Sequence, residues 1–291
     1  MSEATRPARV ADFDPLGPLH AQPRLVTFIT DFGLRDPSAG VLSGVVLAIA
    51  PNARTLDLTH AIPPYDIEAG AEALVESLVH LPVGVHVAVI DPGVGTHRRP
   101  IAIRCARGDV LIGPDNGLLL PAAKALGGVV AVAVLDDERW WGPSISHTFH
   151  GRDLFTPVAA HLAAGIPFGD LGSPIDEALL VPAVTLPLEV KEGELHTVVR
   201  IVDGFGTLVL AGDRSDITAA LGPLELGAPL NIAVAEKRIQ TVWANRFGDV
   251  PEHEPLCYID STGRIALAIN RGSAAERFEA TRRTPVIIRR A

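Results

Sequence analysis

Cysteine, methionine and tyrosine are nearly missing from these 291 residues, which hold two, one and two of them respectively. Cys105 and Cys257 each stand alone among apolar or strand-like residues, so neither a disulfide framework nor a thiolate zinc site is indicated. The ten histidines are dispersed and no His-Glu-x-x-His pattern occurs, which leaves a catalytic metal unsupported. Also lacking is an uninterrupted apolar stretch of the roughly 18 residues needed to cross a bilayer. Positive charge is in deficit: 25 Lys and Arg face 34 Asp and Glu, for a net charge of −9. That excludes a basic nucleic-acid arm, because binding phosphates needs a concentrated basic patch. The group Arg282, Arg283, Arg289 and Arg290 reads as a solvated or subunit-contacting cluster. Residues 1–23 carry Glu3, Asp12, Asp14 and four prolines where a signal peptide would need an apolar run. They are expected to form a mobile, non-targeting leader on a cytoplasmic protein with no membrane partner.

What the chain does have is apolar material. Hydrophobic residues make up 47% and charged ones 20%, enough for a large buried core and too apolar for intrinsic disorder. From Arg24, β-rich runs (Leu25 to Ile29, Val85 to Ile90, Ile101 to Cys105, Val129 to Leu135) alternate with segments of helical spacing (Ala39 to Ala50, Ala69 to His80, Gly117 to Leu126, Asp153 to Ala164). This alternation predicts an α/β domain over 24–182 with a mostly parallel central sheet sandwiched by helices. After Pro182 the pattern changes to closely spaced strands, Thr197 to Val202, Asn231 to Val234, Ile265 to Asn270 and Pro285 to Arg289. A smaller, mainly β domain, a barrel or sandwich, is expected over 183–291.

Five motifs stand out. Thr30-Asp31-Phe32-Gly33 follows the first strand, where open α/β sheets place ligands, so Asp31 is either a turn or cap residue or an acceptor for a ribose diol. His60-Ala61-Ile62-Pro63-Pro64-Tyr65-Asp66-Ile67 is a stiff loop in which Asp66 caps a helix, and Tyr65 could close over a sugar or purine. Asp91-Pro92-Gly93-Val94-Gly95-Thr96 follows another strand; its proline fixes the direction of Asp91, and Arg98, seven residues on, could fold back to pair with it. Pro114-Asp115-Asn116-Gly117 is a turn signal first and an amide contact to a base second. Thr148-Phe149-His150-Gly151-Arg152-Asp153 ends a loop and begins a helix; a lone histidine there is more often structural than catalytic, and Arg152 with Asp153 reads as a local salt bridge and N-cap.

In this order and spacing the five motifs resemble the S-adenosylmethionine hydroxide adenosyltransferases, which are related to fluorinase and chlorinase. The likeness is strong over Leu25 to Ile166. It extends more loosely through Asp203-Gly204-Phe205-Gly206 and Ala268 to Ala275.

The resemblance implies an N-terminal α/β domain, a C-terminal β-barrel and a homotrimer whose sites lie at subunit interfaces. It implies hydrolysis of S-adenosylmethionine to adenosine and methionine, with the sulfonium compound as substrate and no cofactor. Halide-driven cleavage is the alternative within the superfamily, and a non-catalytic adenosine or S-adenosylmethionine sensor the alternative outside enzymes. The family's water-activating trio falls on Asp91, Arg98 and His150. Substrate contacts are expected from Asp31, Phe32, Tyr65, Asn116, Phe149 and Gly151, and in the second domain from Asp203, Thr207, Asn270, Ser273 and Ala275. Thr207 and Ala211 stand where the family usually has asparagines at the methionine end.

Overall fold

The computed structural model describes residues 25–291, so the expected leader lies outside the described residues. Two compact units result, one ending at Val184 and the other running from Thr185 to Ala291.

The first unit contains, in chain order, β1 (Leu25–Thr30), α1 (Ser38–Ile49), β2 (Arg54–Thr59), α2 (Ile67–Leu78), β3 (Gly84–Val89), β4 (Pro100–Cys105), β5 (Val110–Pro114), α3 (Leu120–Ala125), β6 (Val129–Val134) and α4 (Thr156–Ala164). Its six strands form one sheet in the order β2-β1-β3-β5-β4-β6. β1, β2, β3 and β5 run parallel, whereas β4 is antiparallel to both β5 and β6. A short turn explains the reversal. Only residues 106–109 separate β4 from β5, with Gly108 at φ +106°, which suffices for a hairpin and not for a parallel crossover.

Side chains alternate across the sheet and build two cores. Val26, Phe28, Val85 and Val87 pack with Leu42 and Val46 of α1 and Val158 and Leu162 of α4 on one face. Ile29, Ala88, Ile103 and Leu111 pack with Leu74 and Leu78 of α2 and Ala122 of α3 on the other. All four anticipated strands of this unit are present. β2 and β5 are additional, because Arg54-Thr-Leu-Asp-Leu-Thr is a half-polar edge strand and Val-Leu-Ile-Gly-Pro114 ends in turn-like residues. From β1 the chain passes to β2 on one side and later to β3 on the other. The C-terminal ends of β1 and β3 therefore flank the switch point of the sheet, where ligands bind in open α/β folds.

The second unit contains β7 (Glu189–Lys191), β8 (Glu194–Val202), β9 (Leu208–Asp213), α5 (Arg214–Leu221), β10 (Pro229–Val234), β11 (Lys237–Val242), β12 (Pro255–Ile259), β13 (Arg264–Ile269), α6 (Ala274–Phe278) and β14 (Pro285–Arg290). β7 pairs with β8, and the others follow the antiparallel path β11-β10-β14-β8-β9-β13-β12. A bridge from Trp243, just past β11, to Cys257 of β12 brings the two ends of this path together as a nearly closed barrel. Leu195, Leu210, Leu230, Ile232, Trp243, Leu267 and Ile288 fill its interior. The sequence pattern did not single out α5, which is set off by a reciprocal cap: Asp213 accepts the Asp216 N–H and Asp216 accepts the Asp213 N–H. Cys105 and Cys257 are both free and buried. Burial pushes each thiol up to about 12, so both act as small apolar residues. No helix among the described residues is long and apolar enough to cross a membrane.

Candidate active site

Three loops converge beyond the C-terminal ends of β1 and β3. At the end of β1 the Thr30 hydroxyl accepts the Phe32 N–H at 3.1 Å and lies 2.8 Å from Nδ1 of the buried His60. The loop that carries His60 is sewn to this turn. Gly33 N–H donates to the His60 carbonyl at 2.7 Å, and Tyr65 N–H donates to Asp31 Oδ2 at 2.9 Å. Tyr65 sits at φ +66° after two prolines, with its ring largely exposed. Asp66 caps α2 as expected, accepting the Ala69 N–H at 3.0 Å.

At the end of β3 the chain turns tightly, with Val94 N–H donating to the Asp91 carbonyl and Thr96 N–H to the Gly93 carbonyl. Gly95 has φ +75° and presses against the His147 carbonyl, where a Cβ would collide, so this turn packs directly on the third loop. Arg98 folds back as anticipated. Its Nε lies 3.1 and 2.9 Å from the two Asp91 oxygens, and its Nη2 lies 2.6 Å from Oδ2. Both side chains are nearly buried, and the guanidinium also stacks 5.1 Å from the Phe155 ring centre.

The same Nη2 donates to His150 Nδ1 at 2.7 Å, so the trio is one continuous chain of hydrogen bonds. His150 immediately precedes a π-type turn, Gly151–Phe155, a helical irregularity common at functional sites. Burial, reinforced by the Arg98 charge, lowers the His150 pKa below the ordinary histidine range. The imidazole is thus neutral near pH 7. With Nδ1 accepting from the guanidinium, its one hydrogen is assigned to Nε2.

The cavity at this convergence is lined by Asp31, Phe32, Tyr65, Val89, Asp91, Val94, Thr148, Phe149, His150 and Gly151. Phe32 and Phe149 meet edge to face, 5.5 Å between ring centres. Gly151 is needed for this packing, since a Cβ there would lie 2.9 Å from Phe32 Cζ. Val89, Val94 and Thr148 were not singled out by sequence, although Val94 and Thr148 lie inside the quoted motifs.

Arg152 and Asp153 form the anticipated salt bridge. Asp153 also accepts the Ser146 N–H, which pins the preceding loop; α4 begins only at Thr156, so Asp153 is not its cap.

Asn116 does not line the cavity. Its amide donates to the Ile90 carbonyl at 2.9 Å and its oxygen accepts the Leu118 N–H. In the second unit the singled-out residues form their own cluster. Asp203 Oδ1 accepts N–H groups from Phe205 and Thr207, and Ala275 N–H donates to the Gly206 carbonyl. Ser273 caps α6, Asn270 donates to the Val250 carbonyl, and Thr207 and Ala211 are buried. Phe205 projects from this cluster, 86% exposed. Among the described residues no group of three or more His, Cys, Asp or Glu is placed to hold a metal ion.

Two family models match the chain: the SAM hydroxide adenosyltransferase N-terminal domain over residues 26–172 and the corresponding C-terminal domain over residues 197–287. The (R)-S-adenosyl-L-methionine hydrolase of Salinispora tropica is 43% identical over 252 residues, covering 86% of this chain and 92% of the relative. A fluorinase from an Actinoplanes species is more distant, at 28% identity over 86% of this chain and 92% of that protein. Among solved structures, an uncharacterized conserved protein from Thermotoga maritima superposes with a TM-score of 0.84 at 29% identity, over 91% of this chain and 100% of the other. With both domain models matched, and Asp91, Arg98 and His150 joined in one chain of hydrogen bonds, this chain belongs to the SAM hydroxide adenosyltransferase family.

Proposed function

We propose that the protein hydrolyses S-adenosyl-L-methionine to adenosine and L-methionine by attack of an activated water at ribose C5′. The observation that carries this reading is the hydrogen-bonded chain Asp91–Arg98–His150, two members of which face a cavity that also holds Asp31, Phe32 and Phe149. Asp31 retains lone pairs beyond the one bonded to Tyr65 N–H and would accept from the ribose hydroxyls. The Phe32 and Phe149 pair would pack on the apolar faces of the nucleoside.

The reaction joins a sulfonium cation to a hydroxide equivalent and releases a neutral thioether. Opposite charges vanish in the transition state, so a poorly hydrated pocket favours it over bulk water. Hydroxide is scarce near neutral pH, and the Arg98 charge makes deprotonation of a nearby water easier. Asp91, with lone pairs left over from the ion pair, accepts the proton, while a neutral His150 donates through Nε2 to hold the oxygen in line with C5′.

Incubation in water enriched in heavy oxygen tests this directly. The label must appear at C5′ of adenosine. A 5′-halo nucleoside as the main product in chloride or fluoride would replace hydrolysis with halide transfer, and binding without turnover would leave a sensor. The same reading includes a homotrimer in which each site draws on two subunits, and a reaction needing neither cofactor nor nucleic acid, in the cytoplasm. Sedimentation of the purified protein as a monomer would remove the trimer from it.

A further inference from the structure

Asp115 and Asn116 touch the two chain segments that carry Asp91 and Arg98. The ladder between β3 and β5 pairs Val85, His86 and Val87 with Val110, Leu111 and Ile112, and ends there. Ile90, the residue before Asp91, lies beyond it, and its carbonyl takes the Asn116 amide at 2.9 Å instead. Leu118 N–H donating to Asn116 Oδ1 fixes which end of that carboxamide faces Ile90.

On the other side, β4 and β5 face each other through Pro100 and Pro114, and neither proline has an N–H to donate. Asp115 N–H carries the pairing past them by donating to the Arg99 carbonyl at 2.9 Å. The Arg99 guanidinium closes the contact, with Nε at 2.9 Å and Nη2 at 2.6 Å from Asp115 Oδ2. Asp115 is 5% exposed, and its other oxygen accepts the Val181 N–H. One dipeptide thus grips the residue before Asp91 and the residue after Arg98.

We infer that Asp115 and Asn116 are positioning residues that set the separation of Asp91 and Arg98, and through it the placement of the attacking water. The turn between those two residues is held by its own hydrogen bonds, but its ends leave from β3 and β4, which pair with β5 between them and not with each other, so the dipeptide that follows β5 also sets the distance across which the ion pair forms. This inference rests on the hydrolase reading for its effect on rate, and on geometry alone for its effect on the ion pair.

The test uses the full chain with Asn116→Ala and, separately, Asp115→Asn, each assayed well below its own unfolding temperature. A misplacement on the order of an ångström costs up to about a hundredfold in rate, so kcat should fall by roughly tenfold to a hundredfold while KM and adenosine affinity stay near wild type. Introduced into Asp91→Ala, the Asn116→Ala change should cost nothing further, because the group it acts through is already gone. A raised KM with kcat retained would make Asn116 a substrate contact and overturn the proposal. An equal loss of rate in the Asp91→Ala background would also overturn it. Crystals of Asn116→Ala supply a readout independent of turnover: the Asp91–Arg98 contacts must lengthen, and unchanged contacts sink the proposal. Failure of the wild-type protein to cleave S-adenosylmethionine would sink the hydrolase reading instead.

Discussion

At the scale of single residues, the Asp91–Arg98–His150 chain makes the sharpest demands. Replacing Asp91 or His150 by Ala, or Arg98 by Leu, should each slow cleavage by roughly a hundredfold or more, the size expected for lost general-base or electrostatic activation. On the proposed mechanism the trio acts as the nucleophile forms and serves one water, so adenosine affinity should change little and the losses should be non-additive. Steady-state kinetics and adenosine titration on the single and paired variants check both statements. Asp31→Ala should show the opposite split. Losing a charged acceptor for two hydroxyls costs about 2 kcal/mol, or roughly thirtyfold in substrate affinity. Unchanged affinity would end the ribose assignment. The pH profile follows from His150, whose pKa is lowered by burial and then by Arg98. Its neutral form persists below the ordinary imidazole midpoint, so the acid limb of kcat should fall below pH 6.5 and not at or above it. A limb centred above that value would contradict the neutral role.

At the scale of elements, one buried cluster ties the sheet together away from the reacting groups. His86 of β3 lies 2.8 Å from the Thr27 hydroxyl of β1 and 2.9 Å from Asp109, which also takes two bonds from Arg107 and one from the Gly84 N–H. Burial alone would raise the Asp109 pKa. Hydrogen bonds from His86 and Arg107 outweigh it and bring the value down from 3.8 to about 2. The sign follows: the folded state holds the ionised form more tightly than the unfolded chain does. The contribution is therefore complete above about pH 4 and is lost as pH falls through 2; at about 1.4 kcal/mol per pKa unit it amounts to about 2 kcal/mol. Thermal unfolding between pH 5 and pH 2 should show this loss in the wild type, and Asp109→Asn should be destabilised at pH 5 and lose less stability toward pH 2 than the wild type does. Parallel pH curves for the two proteins would rule the account out.

On the scale of the whole molecule, charge makes the prediction. A net charge of −9 disfavours binding to a polyanion, so the purified protein should pass through immobilised DNA or RNA at low salt. Retention that is released by salt would overturn this. The two matched domain models span most of the chain, and the S. tropica relative aligns over 92% of its own length, so this chain is similar to that hydrolase across both parts.

What the sequence determined by itself is the part encoded locally. Continuous apolar runs marked β1, β3, β4 and β6; an Asp before a helical run marked the cap of α2; and motifs directly after strands marked where Asp31 and Asp91 would emerge. A seven-residue spacing with two glycines was enough to anticipate that Arg98 returns to Asp91. The remaining features depend on residues far apart in the chain. Strands β2 and β11 are half-polar, and β5 and β12 have only five residues each; they are stabilised by pairing with neighbours more than by their own pattern. Whether His150 is structural or joined to Asp91 could not be read from its surroundings, because Arg98, 52 residues earlier, makes the connection. Asn116 shows the same limit from the other side. Its motif reads as a turn that could meet a base, yet its amide is engaged by Ile90, 26 residues away, because the β3–β5 ladder ends too early to satisfy that carbonyl.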